Sequence, residues 1–377
     1  MNVLHVGIGN LFGGVETFLV SLGRRRDLWG PARHRFALCV EGRFSRELAE
    51  HEVPVTLLGA TRVSRPWTVL RARRRLADLI RNGPGFDVAI CHASWPQAVF
   101  GPVVRDAGLP LVFYLHGPTG GGHWTDRWAA RTPPDLMIGV SRHTVETGRR
   151  IFPNCPAEVL NYPIPWPDAD TDDPAVRAEV RTELGASPDD TVIMQASRME
   201  PWKGTDQHLR ALALIRDLPG WTCWIAGGSQ RPYERRYREE LGRLVEELGV
   251  ADRVRFLGER RDVPRLLAAA DILCQANRGP EGFSLAFMEA FHAGLPIVTI
   301  AMGGAPELID ETCGVLAPPG DIDAVADGLR KLIVDTDLRR RMGAAARRRV
   351  WETSDPATQL GRLVDLLASV IPRAVAG

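Results

Sequence analysis

The sequence predicts an α/β protein with two doubly wound domains that face a central cleft. Its 377 residues exceed what one hydrophobic core usually supports, so two domains of ordinary size are expected. Short apolar runs alternate along the chain with helix-like and loop segments, a pattern typical of parallel sheets covered by helices on both faces. The alternation forms two successive series, and the proline- and aspartate-rich segment 161–173 between them is the best linker candidate.

The composition is that of a soluble globular protein, with 45% hydrophobic and 25% charged residues. The opening MNVLHVGIGN has no basic flank, and the chain has no uninterrupted apolar run of membrane-spanning length, so we expect a cytoplasmic location. The six cysteines are scattered without a CxxC pair or the histidine spacing of a zinc site. We therefore expect reduced, mostly buried thiols and no structural metal.

Charge is distributed unevenly along the chain, although the net charge is only +1. Residues 1–160 hold 20 arginines, no lysine and 13 acidic residues, a net charge of +7, and the remainder carries −6. The basic half is a candidate for contact with anionic acceptors or with the inner face of a membrane; simple solvation of surface helices is the alternative. Segment 67–81 predicts an arginine-rich amphipathic helix, for which peripheral membrane contact and ordinary surface exposure are both open.

The first series begins with a short buried strand at 3–7 and a glycine-rich loop that runs into a helix. Gly13 and Gly14 in this loop would let the backbone approach a phosphate or a sugar; the alternative is a tight strand-to-helix turn. Further strands of this series are predicted at 36–40, 55–58, 88–91, 111–115 and 136–140.

Two features of the first series suggest ligand contact. His116 directly follows strand 111–115, at the carboxyl edge where open α/β sheets place ligands, although a structural histidine is the alternative. The next segment, PTGGGHWTDRW, predicts a mobile loop that could meet an acceptor, with His123 and Trp124 as candidate contacts.

The second series carries two cations on a strand-to-helix loop. The loop ASRMEPWKG contains Arg198 and Lys203 and runs into a helix that begins near Thr205, which suits a diphosphate. Lys203 is one of only two lysines in a chain with 45 arginines, which indicates a position where a compact point charge is needed. The strands of this series are predicted at 191–195, 222–226, 254–257, 272–275, 297–300 and 315–316.

The stretch PEGFSLAFMEAFHAGLPIV at 280–298 combines two carboxylates with a short buried helix and a strand. The helix is predicted over 283–293, with Gly294 as its C-terminal cap and Pro296 preventing its continuation.

One of the two carboxylates lies before this predicted helix and the other lies within it. Glu281 would stand just before its first turn, and Glu289 lies eight positions further on, about 12 Å along the axis. Unpaired N–H groups after Gly282 would favour an anion such as a diphosphate, so a long charged ligand would fit between the carboxylates. The alternative is that Glu281 is a helix-start acid and Glu289 a solvated side chain.

Two acidic motifs, DAD at 168–170 and DID at 321–323, imitate the metal-binding acid pair of some transferases. The first lies in the linker, and the second has the position of a helix N-cap after PPG. No metal site is therefore predicted.

An ordered set of motifs resembles retaining glycosyltransferase family 4, which has the GT-B fold of two Rossmann-like domains. The second half matches in SRMEPWKG, IAGG, FLGERRDVPRLLAAADI, the two glutamates separated by seven residues, and GG at 303–304 followed by Glu307. The first half is similar more loosely, through GGVE at 13–16, HG at 116–117 and VSRHTVE at 140–146.

The resemblance implies a nucleotide diphosphate sugar as co-substrate, no further cofactor, and transfer to a hydroxyl acceptor with retention of configuration and without a metal ion. We expect UDP-sugars to be favoured over GDP-sugars. The acceptor would be a carbohydrate, a lipid-linked sugar or a small molecule, and no nucleic acid partner is implied. Residues 1–162 would bind the acceptor, with helix 354–377 packing back on them, and residues 163–353 would bind the donor.

The matched positions carry the family's roles to this chain. Arg198 and Lys203 would neutralise the donor diphosphate. Glu281 would bind donor-sugar hydroxyls, Glu289 would bind the ribose, and His116 would lie beside the reacting sugar. The predicted catalytic residues are His116, Arg198, Lys203 and Glu281. The other predicted contacts to the donor are Gly13, Gly14, Phe256, Leu257, Gly258, Gly282, Phe283, Ser284 and Glu289, and those to the acceptor are Glu16, His123 and Trp124.

Breaking the bond between sugar and diphosphate builds negative charge on the leaving oxygens, which fixed cations stabilise most directly. The two glutamates are therefore interpreted as donor-binding groups, not as the acid and nucleophile of a glycosidase. This chain has QANRGP at 275–280 where the family usually has a Pro-Ser pair, and Ser284 where glycine is common, which leaves the donor sugar open. The alternatives are a GT-B relative with epimerase or coupling chemistry, or a non-catalytic nucleotide-sugar-binding subunit.

Overall fold

Each of the two series forms a parallel sheet in its own compact unit. The computed structural model describes residues 1–30, 32–164 and 173–372. One unit comprises Met1–Pro163 together with Pro356–Gly377, and the other comprises Ile164–Asp355. The C-terminal helix therefore belongs to the first unit although the second unit precedes it in the chain.

The sheet of the first unit has seven parallel strands. They are β1 (Asn2–Gly7), β2 (Arg33–Leu38), β3 (Val55–Leu57), β4 (Val88–His92), β5 (Leu111–Leu115), β6 (Leu136–Gly139) and β7 (Ala157–Val159). Their order across the sheet is β3-β2-β1-β4-β5-β6-β7, so the direction of winding reverses between β1 and β4. The buried residues of β4 and β5 show why these segments read as continuous apolar runs, because strands covered on both faces have no solvent side.

Six helices connect these strands. They are α1 (Gly14–Arg24), α2 (Arg43–Glu50), α3 (Pro66–Asn82), α4 (Ser94–Asp106), α5 (Trp124–Ala129) and α6 (Arg142–Gly148). A short 3₁₀ turn, Arg26–Leu28, follows α1. Helix α3 starts with Pro66, which suits a first helical position, and buries Val69, Ala72 and Leu76 on one side, as its amphipathic pattern predicts.

The second unit contains six parallel strands. They are β8 (Thr191–Ala196), β9 (Trp221–Ala226), β10 (Val254–Gly258), β11 (Ile272–Gln275), β12 (Ile297–Ile300) and β13 (Gly314–Ala317). Their order is β10-β9-β8-β11-β12-β13, with the reversal between β8 and β11. Its helices are α7 (Pro174–Glu183), α8 (Thr205–Ala213), α9 (Pro232–Glu247), α10 (Val263–Ala269), α11 (Leu285–His292), α12 (Ala305–Leu308), α13 (Ile322–Val334) and α14 (Thr336–Ser354).

The final helix, α15 (Pro356–Val370), lies within the predicted span 354–377. None of the described helices combines the length and the apolar character needed to cross a membrane. All six cysteines are free and buried, as the scattered spacing predicts.

The predicted strands are confirmed to within a few residues at their ends, but one further strand and one helix start differ from the prediction. Strand β7 was not predicted, because two partly buried residues around the exposed Glu158 give too short an apolar pattern. Helix α11 begins at Leu285, not at Phe283, because Ser284 has extended dihedrals and occupies the N-cap position. Glu281 therefore lies in the loop after β11, four residues before the helix.

Candidate active site

The predicted residues of the second unit gather where the winding of its sheet reverses. Arg198 and Lys203 follow β8, and Glu281 follows β11, which is the neighbouring strand. Where the connections from two adjacent parallel strands leave in opposite directions, a crevice forms at the carboxyl ends of these strands. Open α/β proteins bind ligands in such crevices. The sheet order thus places all three predicted site residues in one crevice. Lys203 and Glu281 meet there although they are 78 positions apart in the chain.

Lys203 and Glu281 form an ion pair. The Lys203 Nζ donates to Glu281 Oε1, and the side chains are only 12% and 20% exposed. The ammonium also lies 4.2 Å from the ring centroid of Trp202, a cation–π contact. Each charge compensates the other in a poorly solvated place, so a bound anion would compete with Glu281 for the Lys203 ammonium.

Two carboxamides complete the surroundings of the Glu281 carboxylate. Gln275 Nε2 donates to Glu281 Oε2 at 3.1 Å, and Asn277 Nδ2 donates to the same oxygen at 3.3 Å. Sequence reasoning did not assign these residues, although they stand in the QANRGP segment that departs from the family pattern. They hold one carboxylate oxygen while Lys203 holds the other, which fixes the orientation of Glu281.

Arg198 is held by carboxylates of its own unit. Its Nη2 donates to Glu200 Oε2 at 2.8 Å, and its Nη1 lies 3.6 Å from Glu234 Oε1. Glu234 is fully buried and accepts from the backbone N–H groups of Gln230 and Arg231 at the start of α9. The guanidinium is thereby fixed beside the loop that carries Lys203, and its charge is half-buried.

Glycines allow the loops of this crevice to touch. A Cβ on Gly303 would lie 2.1 Å from the carbonyl oxygen of Glu281, and the next residue, Gly304, donates its N–H to that oxygen. A Cβ on Gly227, after β9, would lie 1.8 Å from the carbonyl oxygen of Ser197. The GG and IAGG motifs therefore keep the backbone next to Glu281 and Arg198 in place by close approach.

The predicted base-binding backbone lies at the end of β10, two strands away from β8. Pairing with β9 is irregular between Phe256 and Gly258, and Gly258 has a φ of +69° with open space where a Cβ would point. Arg238 lies over the ring of Phe256 at 3.6 Å. There is therefore open space beside Gly258, whereas Arg238 covers one face of the Phe256 ring.

Glu289 lies on α11 and is half-buried. Removal of its carboxyl from water raises its pKa from the ordinary 4.5 to about 7. Within the described part of the chain, no side chain donates a hydrogen bond to it. The carboxyl is therefore partly protonated near neutral pH and has capacity for a ligand's hydroxyl groups.

We expect Glu289 to make the folded protein less stable as pH rises from about 4.5 to about 7. In this window the folded protein keeps the Glu289 proton and the unfolded chain loses it, so rising pH lowers the free energy of unfolding. Above about 7 the contribution no longer changes. Chemical denaturation of wild type and Glu289→Gln from pH 4.5 to 8 checks this, because the glutamine has no proton to lose; parallel stability curves would contradict it.

In the first unit, Gly13 lies in the loop between β1 and α1, and Gly14 is the first residue of α1, next to the reversal of that sheet. Gly13 has extended dihedrals and is the N-cap of α1. Its N–H donates to the Glu16 carboxylate at 3.0 Å, so Glu16 closes the turn of the glycine loop. Phe18, one turn further along α1, packs against the rings of His116 and Tyr162.

His116 lies directly after β5, and both of its ring nitrogens have protein partners. Nε2 is 2.8 Å from His92 Nδ1, and Nδ1 is 2.7 Å from the Tyr162 hydroxyl. Burial, and to a lesser degree the neighbouring His92, hold the pKa of His116 well below its usual range, so its ring is neutral. Sequence reasoning found His116 but neither His92 nor Tyr162 as its partners.

The segment PTGGGHWTDRW, predicted as a loop, is one only as far as His123, because the residues from Trp124 onward form α5. His123 is the N-cap of α5, where its Nδ1 accepts the N–H of Thr125 and lies 2.6 Å from that residue's hydroxyl. Trp124 is 47% exposed and its ring stacks near Trp128. Of the candidate acceptor residues, Trp124 thus has an exposed ring. The His123 ring stabilises the start of α5, and the Glu16 carboxylate stabilises the start of α1.

Of the two acidic motifs, only DID at 321–323 lies among the described residues. DAD at 168–170 lies outside the described residues, and Asp321 of DID caps α13 by accepting the Ala324 N–H at 2.8 Å. Among the residues that the structure describes, no group of three or more histidine, cysteine, aspartate or glutamate side chains is placed to hold a metal ion.

Two family models match the chain, one in each half. Residues 12–164 match the model described as Glycosyltransferase Family 4, and residues 176–349 match the model described as Glycosyl transferases group 1. These spans cover the glycine loop and His116 on one side, and Arg198, Lys203 and Glu281 on the other.

The chain is similar to named glycosyltransferases over most of its length. It is 31% identical over 340 residues to the GDP-mannose-dependent α-(1-6)-phosphatidylinositol monomannoside mannosyltransferase of Mycobacterium tuberculosis, covering 87% of this chain and 79% of that protein. It is also 31% identical to the D-inositol 3-phosphate glycosyltransferase of Saccharomonospora viridis, over 70% of this chain and 66% of that protein.

A solved structure shares the fold across both units. The Anabaena HepE protein in complex with UDP-glucose superposes with a TM-score of 0.84 and 25% sequence identity, covering 98% of this chain and 100% of HepE. The two parallel sheets with interleaved helices are thus those of an α/β GT-B fold.

Proposed function

The chain belongs to glycosyltransferase family 4, and from that membership we propose a hexosyltransferase that retains the anomeric configuration of its donor and works without a metal ion. The coarser activity, glycosyl transfer from a nucleotide sugar, is that of the family. The observation that carries the finer proposal is the crevice in which Arg198 and the Lys203–Glu281 pair lie at one strand edge.

In this proposal the two cations bind the donor diphosphate. Lys203 exchanges part of its contact with Glu281 for a phosphate oxygen, and Arg198 contributes a fixed guanidinium. As the bond between C1 of the sugar and the phosphate oxygen breaks, the oxygen keeps the electron pair and its charge is stabilised by these cations. The acceptor hydroxyl oxygen bonds to C1, and its proton passes to the leaving phosphate. Positive charge supplied by side chains supports the proposed independence from metal.

Released from part of its ion pair, the Glu281 carboxylate accepts hydrogen bonds from hydroxyls of the donor sugar. Gln275 and Asn277 keep it in orientation while Lys203 turns to the phosphate. The loop that holds Glu281 also carries Gly282, Phe283 and Ser284, which are buried and therefore rigid neighbours of the sugar. Glu289 takes the ribose hydroxyls.

The remaining predicted site residues are assigned to the base, the diphosphate, the reacting sugar and the acceptor. The backbone of Phe256–Gly258 at the open end of β10 meets the base. From the first unit, the Gly13–Gly14 loop contacts the diphosphate, and His116 lies beside the reacting sugar. Glu16 supports that loop, and His123 and Trp124 contact the acceptor.

The donor base has two candidates, each favoured by a specific observation. We propose a UDP-sugar, as in the solved HepE complex with UDP-glucose. GDP-mannose is the second candidate, because the relative of M. tuberculosis that matches 87% of the chain is GDP-mannose-dependent.

We propose a lipid-linked or inositol-containing acceptor, in keeping with the names of the relatives. A basic patch at the start of α3 supports the proposal that the acceptor lies in a membrane. Trp67 and Leu70 are 59% and 54% exposed, and Arg65, Arg71 and Arg74 are exposed around them. Aromatic and apolar side chains among arginines suit the inner, anionic face of a membrane, where a protein that is otherwise cytoplasmic would bind peripherally.

The proposal is tested by incubating the purified chain with UDP-glucose, UDP-galactose, UDP-N-acetylglucosamine or GDP-mannose. Each donor is paired with inositol phosphate or with phosphatidylinositol in vesicles, with and without a chelator. We expect one donor to give a product whose anomeric configuration matches the donor, at a rate that the chelator does not change. Transfer only to vesicle-embedded acceptor would support the α3 patch.

Three results would each overturn a part of the proposal. Inversion of configuration would refute the retaining mechanism. Loss of transfer with the chelator, restored by a divalent ion, would refute metal independence. Transfer from GDP-mannose alone would replace the first donor candidate by the second.

A further inference from the structure

Three buried histidines of the first unit, His34, His5 and His92, form a continuous row with the half-buried His116, which is one of the predicted site residues. His34 lies on β2, His5 on β1, His92 on β4, and His116 directly after β5. These four strands are adjacent in the sheet, in that order. We call His34, His5, His92 and His116 the histidine row.

The pairing register produces the row. His34 pairs with Val3, two residues before His5, and His5 pairs with Ile90, two residues before His92. His92 pairs with Tyr114, two residues before His116. Each step to the next strand thus advances by two residues, which keeps every side chain on the same face of the sheet, because side chains alternate with a period of two.

Hydrogen bonds join the rings from end to end. His34 Nδ1 lies 2.7 Å from His5 Nε2, His5 Nδ1 lies 2.9 Å from His92 Nε2, and His92 Nδ1 lies 2.8 Å from His116 Nε2. The Tyr162 hydroxyl closes the row at 2.7 Å from His116 Nδ1. Ring centroids of successive histidines are 5.0 to 5.2 Å apart. The atoms run in a line and do not converge on a point, so the row is not a metal site.

The surroundings of all four rings favour the neutral imidazole. Burial lowers the pKa of His34 and His92 to about 3, and burial together with the neighbouring rings holds the pKa of His5 and His116 well below the ordinary value. A positive charge in this row would be desolvated, and the hydrogen-bond partners described for these rings are other histidines and the Tyr162 hydroxyl, not carboxylates.

If the rings are neutral, all hydrogen bonds along the row must run in the same direction. Each neutral imidazole has one N–H and one accepting nitrogen. Every link joins an Nδ1 to an Nε2, so all four rings must carry the proton on the same nitrogen, either all on Nδ1 or all on Nε2. One ring in the opposite tautomer would leave two N–H groups, or two lone pairs, facing each other in a buried place, at a cost of about 1 to 3 kcal/mol.

We propose that His92, His5 and His34 are positioning residues that fix the tautomer and ring plane of His116, and with them the direction of the hydrogen bond between His116 and Tyr162. This rests on the proposed function, in which the reacting sugar lies beside His116. A sugar hydroxyl that replaces or joins Tyr162 at Nδ1 meets either a donor or an acceptor, and the row decides which. His34, three strands away from His116, thus takes part in recognising the donor sugar.

The direct test is nitrogen NMR of the protein with ¹⁵N-labelled histidine rings. Ring nitrogen shifts distinguish a protonated from an unprotonated nitrogen, and the chain has only nine histidines to assign by single replacements. We expect His34, His5, His92 and His116 in the wild type to share one tautomer. A mixed set of tautomers, or a charged ring among the four at neutral pH, would overturn the proposal without any activity measurement.

A matched pair of variants at the far end tests the coupling. His34→Asn keeps a polar atom near the place of Nδ1 that can donate or accept, whereas His34→Leu has none. We expect His34→Leu to give a mixed tautomer signal at His116 and a kcat about 10-fold lower, an effect of the size of one lost buried hydrogen bond. The asparagine variant should keep the His116 signal and most of kcat.

The two arms separate failure of the inference from failure of the proposed function. If no donor supports transfer, the function fails and the NMR result still decides the row. If transfer occurs and His34→Leu leaves both the His116 tautomer and kcat unchanged, the row is structural only and the inference fails. Should His34→Leu not fold, the wild-type tautomer pattern and the His34→Asn variant remain decisive.

Discussion

Replacing Lys203 with alanine is expected to lower kcat/KM for the donor by about 100- to 1,000-fold, the range seen when a preorganised charge on a developing oxyanion is removed. Two losses combine in this variant. The diphosphate loses a cation at its leaving oxygens, and Glu281 loses its ion-pair partner while remaining four-fifths buried. Donor titration followed by single-turnover transfer measures both. Most of the loss should lie in the chemical step, since Arg198 still supports binding.

The chain offers a matched control for Lys203→Ala, because its other lysine is exposed on α13. Lys331→Ala makes the same chemical change, and its transfer rate should be that of the wild type. If both variants kept the wild-type rate, the cation would have no role in the reaction. A third variant, Lys203→Arg, tests geometry: it keeps the charge but spreads it over a planar fork, so we expect only partial activity.

Replacing Gly303 with alanine is expected to displace Glu281 and to lower transfer by more than 10-fold, because a 1 Å shift of a site residue has effects of this order or larger. The added Cβ would meet the Glu281 carbonyl oxygen at 2.1 Å and its backbone nitrogen at 2.7 Å. The φ of +63° at Gly303 adds a cost of about 1 to 2 kcal/mol for any residue with a side chain. Thermal unfolding and donor KM both report on this variant.

Gly320→Ala is the control that separates backbone strain from displacement. Gly320 has a φ of +83°, yet nothing lies within 4 Å of the place where its Cβ would be. It should therefore lose a similar amount of stability from strain and none of the activity. Equal activity of the two alanine variants would show that the close approach of residues 303 and 281 does not matter for transfer.

Much of the architecture could be predicted from local sequence, and the reasons are physical. Strands such as β5, β11 and β12 were predicted at their observed bounds, because parallel strands buried on both faces are uninterrupted apolar runs. The start of α11 was predicted two residues early, because Phe283 and Ser284 are both compatible with a helix. Only the extended dihedrals of Ser284 show that the helix begins after it.

The interactions within the site could not be predicted in the same way. Arg198, Lys203 and Glu281 were found as single residues, but their pairing depends on the order of β8 and β11 in the sheet. Gln275 and Asn277 were noticed only as a departure from the family pattern, because no local rule shows that their amides point at Glu281. The histidine row is less visible still, since it arises from the register of four strands separated in sequence.

The return of α15 to the first unit has a consequence for how the protein is made. The ribosome delivers residues 1–163 first, but this unit also contains residues from Pro356 onward. The second unit, Ile164–Asp355, is contiguous and can be completed as soon as it has left the exit tunnel. The unit that is synthesised first therefore cannot be completed until the helix that follows the second unit has also been made.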